Sequence, residues 1–219
     1  MKKIMFNDKF GLTQAVLEGR KTMTRRIITH PLKFKGQNVC GYYVCRKPSG
    51  EVTEVCMYDE DERMIDEGQI FSKYQVGEVV SIAQGYGTIF AEMMMGKYDY
   101  DLYEKFRQLA MGMKLKGNNN KMFVKADLMI HNIEITEIKV ERLQDISEED
   151  CLKEGVYRLD SANGNGDIAY SFVGASDKKH IGLYDTPREA FAVLIDKVSG
   201  KGVFQSNPYV FVYEFKLIN

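Results

Sequence analysis

From Met122 to Leu143 the chain carries its longest run of strand-forming residues, and one irregularity within it constrains the fold more than any other feature. Ile133 and Ile135 stand on an apolar period of two, the pattern then breaks once, and Ile138 and Val140 resume it. Side chains on a strand point to opposite faces in turn, so such a period marks one buried face. A single break marks a bulge or bend, which is expected where the strands of a small barrel close.

The rest of the chain reads around that strand. Met1 to Phe6 is a first strand, and Asn7 to Phe10 turns into a short helix from about Leu12 to Glu18. Gly19 closes the helix, since glycine reaches positive φ without a Cβ clash. Val39 to Arg46, a Pro48-Ser49-Gly50 turn and Glu51 to Tyr58 read as a hairpin. Asp59 to Glu67 reads as a charged, solvated connection, and Val76 to Ala83 as a strand entered through Gly77. Residues 85–120 form an insertion, with Ile89 to Met95 and Tyr98 to Met113 at roughly helical spacing before Gly117-Asn118-Asn119-Asn120 breaks it. The Met and aromatic stripe suits core packing or, because methionine adapts to varied surfaces, a partner contact over 89–113. Ser147 is an N-cap with Glu148, Glu149 and Asp150 in the first turn of a helix ending at Gly155. Asp160 to Asp167 reads as a flexible loop, and Thr186-Pro187 opens a helix reaching about Val198. Tyr209 to Leu217 is the last strand. With no repeat and no long linker, residues 1–219 make one domain with insertions.

Charge narrows the function. Thirty basic residues against 31 acidic ones leave a formal net charge of -1. Bulk affinity for phosphates needs an excess of Lys and Arg, so any nucleic-acid contact must be local. Cys40, Cys45, Cys56 and Cys151 lack CxxC spacing or a histidine at ligand spacing, and read as reduced, half-buried thiols. The scattered His30, His131 and His180 read as structural or exposed. No metal or cofactor is expected. Lys2 and Lys3 are not followed by an apolar signal segment, no window approaches a membrane span, and the expected location is cytoplasmic.

After the Gly19 cap comes Arg20-Lys21-Thr22-Met23-Thr24-Arg25-Arg26. The run from Val16 to Arg26 resembles the signature of the ASCH domains, a branch of the PUA-like superfamily, in their phage and bacterial type. Tyr74-Gln75-Val76-Gly77-Glu78 is similar to the family's entry into a barrel strand. Glu134 to Ile138 through Leu143 to Val156 resembles its strand-then-helix segment, and Asn207 to Phe215 its closing strand. The resemblance implies an α+β fold: a PUA-like small mixed β-barrel with flanking helices, here with a helical insertion.

It also implies two uses of one cleft. The first is binding of RNA or a modified nucleoside beside Arg20, Thr22, Arg25 and Arg26. The second is metal-independent hydrolysis of an N-acylated nucleoside such as 4-acetylcytidine, with Lys21, Thr24 and Glu154 matching the family's lysine, threonine and glutamate. A desolvated lysine loses proton affinity, a carboxylate can shuttle protons, and a hydroxyl can support an oxyanion. A third reading is a phage-derived interaction module. In a regular strand Lys21 and Thr24 would face opposite ways, so a shared site requires a kink between them. The chain departs from larger family members where Ser81-Ile82-Ala83-Gln84-Gly85-Tyr86 stands in place of an arginine-glutamate pair and a tryptophan, and it contains no tryptophan at all.

Overall fold

The computed structural model describes residues 1–45, 54–96, 100–110, 116–160, 168–173 and 182–218. The Pro48-Ser49-Gly50 turn, most of the Asp160–Asp167 loop and His180 lie outside them. In chain order the strands are β1 (Lys2–Ile4), β2 (Met23–Ile27), β3 (Lys33–Phe34), β4 (Gln37–Asn38), β5 (Gly41–Cys45), β6 (Glu54–Tyr58), β7 (Met64–Phe71), β8 (Val79–Ile82), β9 (Asn132–Arg142), β10 (Tyr157–Asp160), β11 (Ile168–Ser171) and β12 (Tyr209–Ile218). The helices are α1 (Leu12–Leu17), α2 (Tyr86–Met94), α3 (Tyr100–Ala110), α4 (Glu148–Lys153), α5 (Pro187–Ser199) and α6 (Val203–Ser206).

An α+β fold is what results. Its centre is a five-stranded mixed sheet in the order β1-β8-β9-β12-β2, with β1 parallel to β8 and the other neighbours antiparallel. The break in β9 is a bulge: Glu214 faces Glu137, Phe215 faces Ile135, and Thr136 is the extra residue. Ile133, Ile135, Ile138 and Val140 are all buried on its two sides. Among the described residues the sheet does not close, since β1 and β2 are its edges and share no ladder. Those edges nevertheless approach, because the Arg26 guanidinium of β2 donates to the Met5 carbonyl beside β1 at 2.6 Å. Phe191 and Leu194 of α5 join the core over this sheet.

Three expectations need correction. The strand expected from Met122 starts only at Asn132, because two 3-10 turns, Lys121–Phe123 and Ala126–Leu128, precede it. Of the charged stretch read as a solvated connection, Asp59 to Arg63 is a turn but Met64 to Glu67 opens β7, which pairs β6; Ile65 is buried while its charged neighbours face solvent. Finally, Cys45 and Cys56 are not thiols but a disulfide, with Cα atoms 6.4 Å apart on neighbouring strands. A separation of 11 residues does not reveal this, because only antiparallel pairing brings diagonal positions together. Cys40 and Cys151 are free. Beyond these corrections, β10 and β11 form an antiparallel pair that the sequence does not announce.

The insertion builds a core of its own: Tyr86, Ile89 and Met93 of α2 and Phe106 of α3 pack with Val124, Leu128 and Met129. Met94 and Met95 are exposed, so the methionine stripe is divided between core and surface. Among the described residues no helix is long and apolar enough to cross a membrane.

Candidate functional site

The kink that the sequence demands between Lys21 and Thr24 lies at the end of α1. Gly19 takes φ +72, and the Arg20 and Lys21 amides both donate to the Ala15 carbonyl at 2.9 Å. β2 therefore begins only at Met23, so the alternation that would separate Lys21 from Thr24 does not apply. The Thr22 amide donates to the Lys153 carbonyl at 3.0 Å, which ties this turn to the end of α4. Glu154 follows α4 directly, its amide bonded to the Asp150 carbonyl at 3.0 Å.

Lys21 is thus driven inward. Only 2% of it is exposed, and its Nζ donates to the Glu154 Oε2 at 2.5 Å, the Met23 carbonyl at 2.7 Å and the Glu154 carbonyl at 2.8 Å. All three ammonium hydrogens are placed. Burial nonetheless outweighs the attraction of Glu154 and pulls the lysine below its ordinary proton affinity, with Arg26 and Arg25 adding to the effect.

Arg25 holds the other side of the carboxylate. Its side chain has no exposed surface, and Nη1 reaches Glu154 Oε1 at 3.2 Å. Nε and Nη2 donate to Glu141 Oε1 at 2.9 and 2.6 Å, and Nη2 also donates to Asp150 Oδ2 at 2.9 Å. Burial opposes the charge of Arg25, but Glu154, Glu141 and Asp150 more than offset it and raise its affinity for the proton. Lys139 closes the network on the solvent side, 3.0 Å from Glu141.

One cavity of about 250 Å³ opens onto Lys21, Thr24 and Glu154 together. Phe6, Leu12, Phe191 and Leu194 give it apolar walls, and Arg26 stands at its edge with its guanidinium 5.9 Å from the Phe6 ring. Thr24 is 5% exposed and lines the same cavity. The expected trio is therefore brought into one place. Of the four expected binding residues, Arg25 and Arg26 line this cavity, whereas Arg20 and Thr22 do not. Arg20 is bound to Glu18 at 2.5 Å and faces a different cavity. Arg25 has its donors committed to carboxylates.

Glu141 and Asp150 are the residues that sequence reasoning missed. Asp150 looked like a helix-dipole residue beside Glu148 and Glu149, and nothing in the sequence tied Glu141 to an arginine. Register in β9 and the first turn of α4 are what bring Glu141 and Asp150 to Arg25. Cys151, next to this network, is no candidate nucleophile, because burial pushes its thiol up to about 12. Among the described residues no group of His, Cys, Asp and Glu side chains is placed to hold a metal ion. No family model, no curated protein and no solved structure matches the chain.

Proposed function

We propose that the chain is an ASCH-type protein of PUA-like descent that takes a nucleoside-sized molecule into the Lys21–Thr24–Glu154 cavity and hydrolyses an N-acyl amide on it. The observation that carries this reading is the convergence of a desolvated lysine, a carboxylate 2.5 Å from it and the Thr24 hydroxyl on one cavity with apolar walls. In this mechanism water adds to the acyl carbon and passes its proton to the Lys21–Glu154 pair. Thr24 Oγ1–H donates to the oxyanion that forms. The C–N bond then breaks, and the pair returns the proton to the departing nitrogen. One water is consumed, and one acid and one amine are released.

The volume favours a single small molecule over a polymer as the occupant. RNA binding through Arg25 finds less support, since that guanidinium is already shared among three carboxylates. The test is incubation of the purified protein at high concentration with 4-acetylcytidine, following cytidine release. Release by wild type, and none by a folded Lys21→Ala or a folded Glu154→Gln, is expected. A folded wild type that releases no cytidine overturns hydrolysis. Equilibrium dialysis with the same compound then shows whether the cavity binds nucleosides at all.

A further inference from the structure

The Arg26 side chain stands between two cavities. Thr24, Arg26 and Ile28 point to one side of the extended chain, because side chains alternate along it. Thr24 lines the cavity of Lys21, Ile28 lines another of about 340 Å³, and Arg26 lines both. Tyr74 lines the larger one: burial pushes its hydroxyl up to about 12, and the charge of Arg26 is near enough to oppose that rise.

The lining of this larger cavity holds three cations, Lys3, Arg26 and Lys73, and no carboxylate. The Lys21 cavity, by contrast, carries Glu154, and the cavity beside α1 carries Asp8, Glu18 and Glu92. Lys3 is fully committed, its Nζ donating to the carbonyls of Lys121, Met122 and Val124 at 3.2, 2.8 and 2.6 Å. Arg26 gives up one N–H, to the Met5 carbonyl at 2.6 Å in a position that solvent reaches, and an arginine has five. Lys73 is exposed, with Nζ 5.4 Å from the centre of the Tyr74 ring. Among the described residues neither Arg26 nor Lys73 meets a carboxylate. Glu78, the acid that follows Tyr74 in the chain, is held by Lys2 and by the Gln75 amide, each at 3.0 Å.

The walls are aromatic. Tyr74 and Tyr213 meet edge to face with ring centres 5.0 Å apart. Their hydroxyls are tied down, Tyr74 donating to the Lys3 carbonyl at 3.0 Å and Tyr213 receiving the Lys73 amide at 3.2 Å. Phe71 also lines the cavity and is 66% exposed, so an incoming molecule can reach this apolar wall.

We propose that this cavity binds a small aromatic oxyanion, a carboxylate or phosphate carried on a flat apolar ring. Arg26 grips the anionic oxygens with its remaining N–H groups, Lys73 adds charge from the solvent side, and Phe71 and Tyr74 pack against the ring. The volume falls within the range of about 300–1,000 Å³ usual for small-molecule sites. A cationic ligand is disfavoured by two uncompensated positive charges. The site stands apart from the hydrolysis proposed above and does not depend on it.

With methionine methyl groups labelled by 13C, benzoate and phenyl phosphate are titrated against Met5, which lines the cavity. At least one of them shifts that methyl saturably, and the tighter of the two identifies the acidic group. Benzamidine, which has the shape of benzoate and the opposite charge, gives no saturable shift. Arg26→Gln weakens the bound anion at least about tenfold, the effect of losing a charge-assisted pair, and Lys73→Gln about threefold, as fits an exposed charge. Lys73 does not line the Lys21 cavity, so its variant locates the anion and also decides the matter if Arg26→Gln fails to fold. The proposal is overturned if neither acid gives a saturable shift, if benzamidine binds as well, or if a folded Lys73→Gln binds like wild type. It is equally overturned if Thr24→Val weakens the anion as much as Lys73→Gln does, since the anion then sits beside Lys21.

Discussion

Replacing Glu154 by glutamine tests whether Lys21 is a charged group held in the interior by one carboxylate. The substitution keeps size and shape and removes only the charge that faces Nζ at 2.5 Å. If Lys21 stayed protonated, it would be a buried cation next to Arg25, and breaking a buried pair in this way costs about 3–5 kcal/mol. The lysine has a second option, which sets a ceiling. Giving up a proton from its ordinary value of 10.5 costs about 1.4 kcal/mol per pH unit, or about 4 kcal/mol at about pH 7.5. The expected loss is therefore about 3–4 kcal/mol near neutrality. The sign of its pH dependence follows. In the folded variant Lys21 is neutral while the unfolded chain still binds the proton, so stability rises with pH up to 10.5. The deficit therefore narrows as pH rises, until Lys21 of the wild type, whose proton affinity is itself lowered, also gives up its proton. Urea unfolding followed by circular dichroism across that range measures both quantities. A deficit under about 1 kcal/mol, or one independent of pH, would refute the description of Lys21 as a buried ion dependent on Glu154.

Three further outcomes can be measured in the same way. Arg25→Met removes the buried cation shared by Glu141, Asp150 and Glu154, leaving them only Lys139, Lys153 and Lys21, and is expected to cost about 3–5 kcal/mol near neutral pH. For Asp150 burial is overcome by Arg25, Lys139 and Lys153, so its carboxyl lies below 3.8; its contribution exists above 3.8 and fades as pH falls below it. The gap between wild type and Arg25→Met therefore narrows in acid, and a gap that widens there contradicts the network. Gly155 has φ +106, and a Cβ on it would lie 3.1 Å from Leu12 and 3.7 Å from the Lys21 stem. Gly155→Ala is expected to lose about 1–3 kcal/mol, together with any cytidine release, because the strain falls on the turn that carries Glu154. Cys45→Ser/Cys56→Ser opens a short loop and is expected to lower stability by about 3 kcal/mol; equal denaturant midpoints for the variant and the oxidised wild type would count against the disulfide.

Local chemistry was readable where a residue type answers a local geometric need. The α1 end at Gly19, the Ser147 and Thr186 caps and the β9 bulge all follow from neighbours within a few positions. Long-range pairing was not readable. Met64 to Phe71 carries charge on its solvent side, so its alternation was hidden by composition, and only its pairing with β6 makes it a strand. The same holds for Cys45 with Cys56, and for Arg25 with Glu141, which is 116 residues away in the chain. Lys21, Thr24 and Glu154 were anticipated through a resemblance. Sequence spacing by itself argued against Lys21 and Thr24 sharing a face, until the turn before β2 removed the conflict.

The two buried cations beside Glu154 do different work, and the difference bears on which of them belongs to the chemistry. Arg25 is fully enclosed, touches three carboxylates and has its proton bound more tightly than usual, so it can neither meet a ligand nor exchange a proton. Its effect on the site is positional: by holding Glu154 Oε1 it leaves Oε2 turned to Lys21. Lys21 is pulled the other way in proton affinity and lines the cavity with Thr24. A purely structural network would gain nothing from that contrast, because replacing a buried ion pair with apolar groups is often neutral or stabilising. Lys21→Met with Glu154→Leu is therefore expected to fold with stability within about 1–2 kcal/mol of wild type while losing the proposed hydrolysis entirely. If that pair of changes instead unfolds the chain as severely as Glu154→Gln alone, the lysine is a structural ion and the cavity beside it is only a gap in the packing.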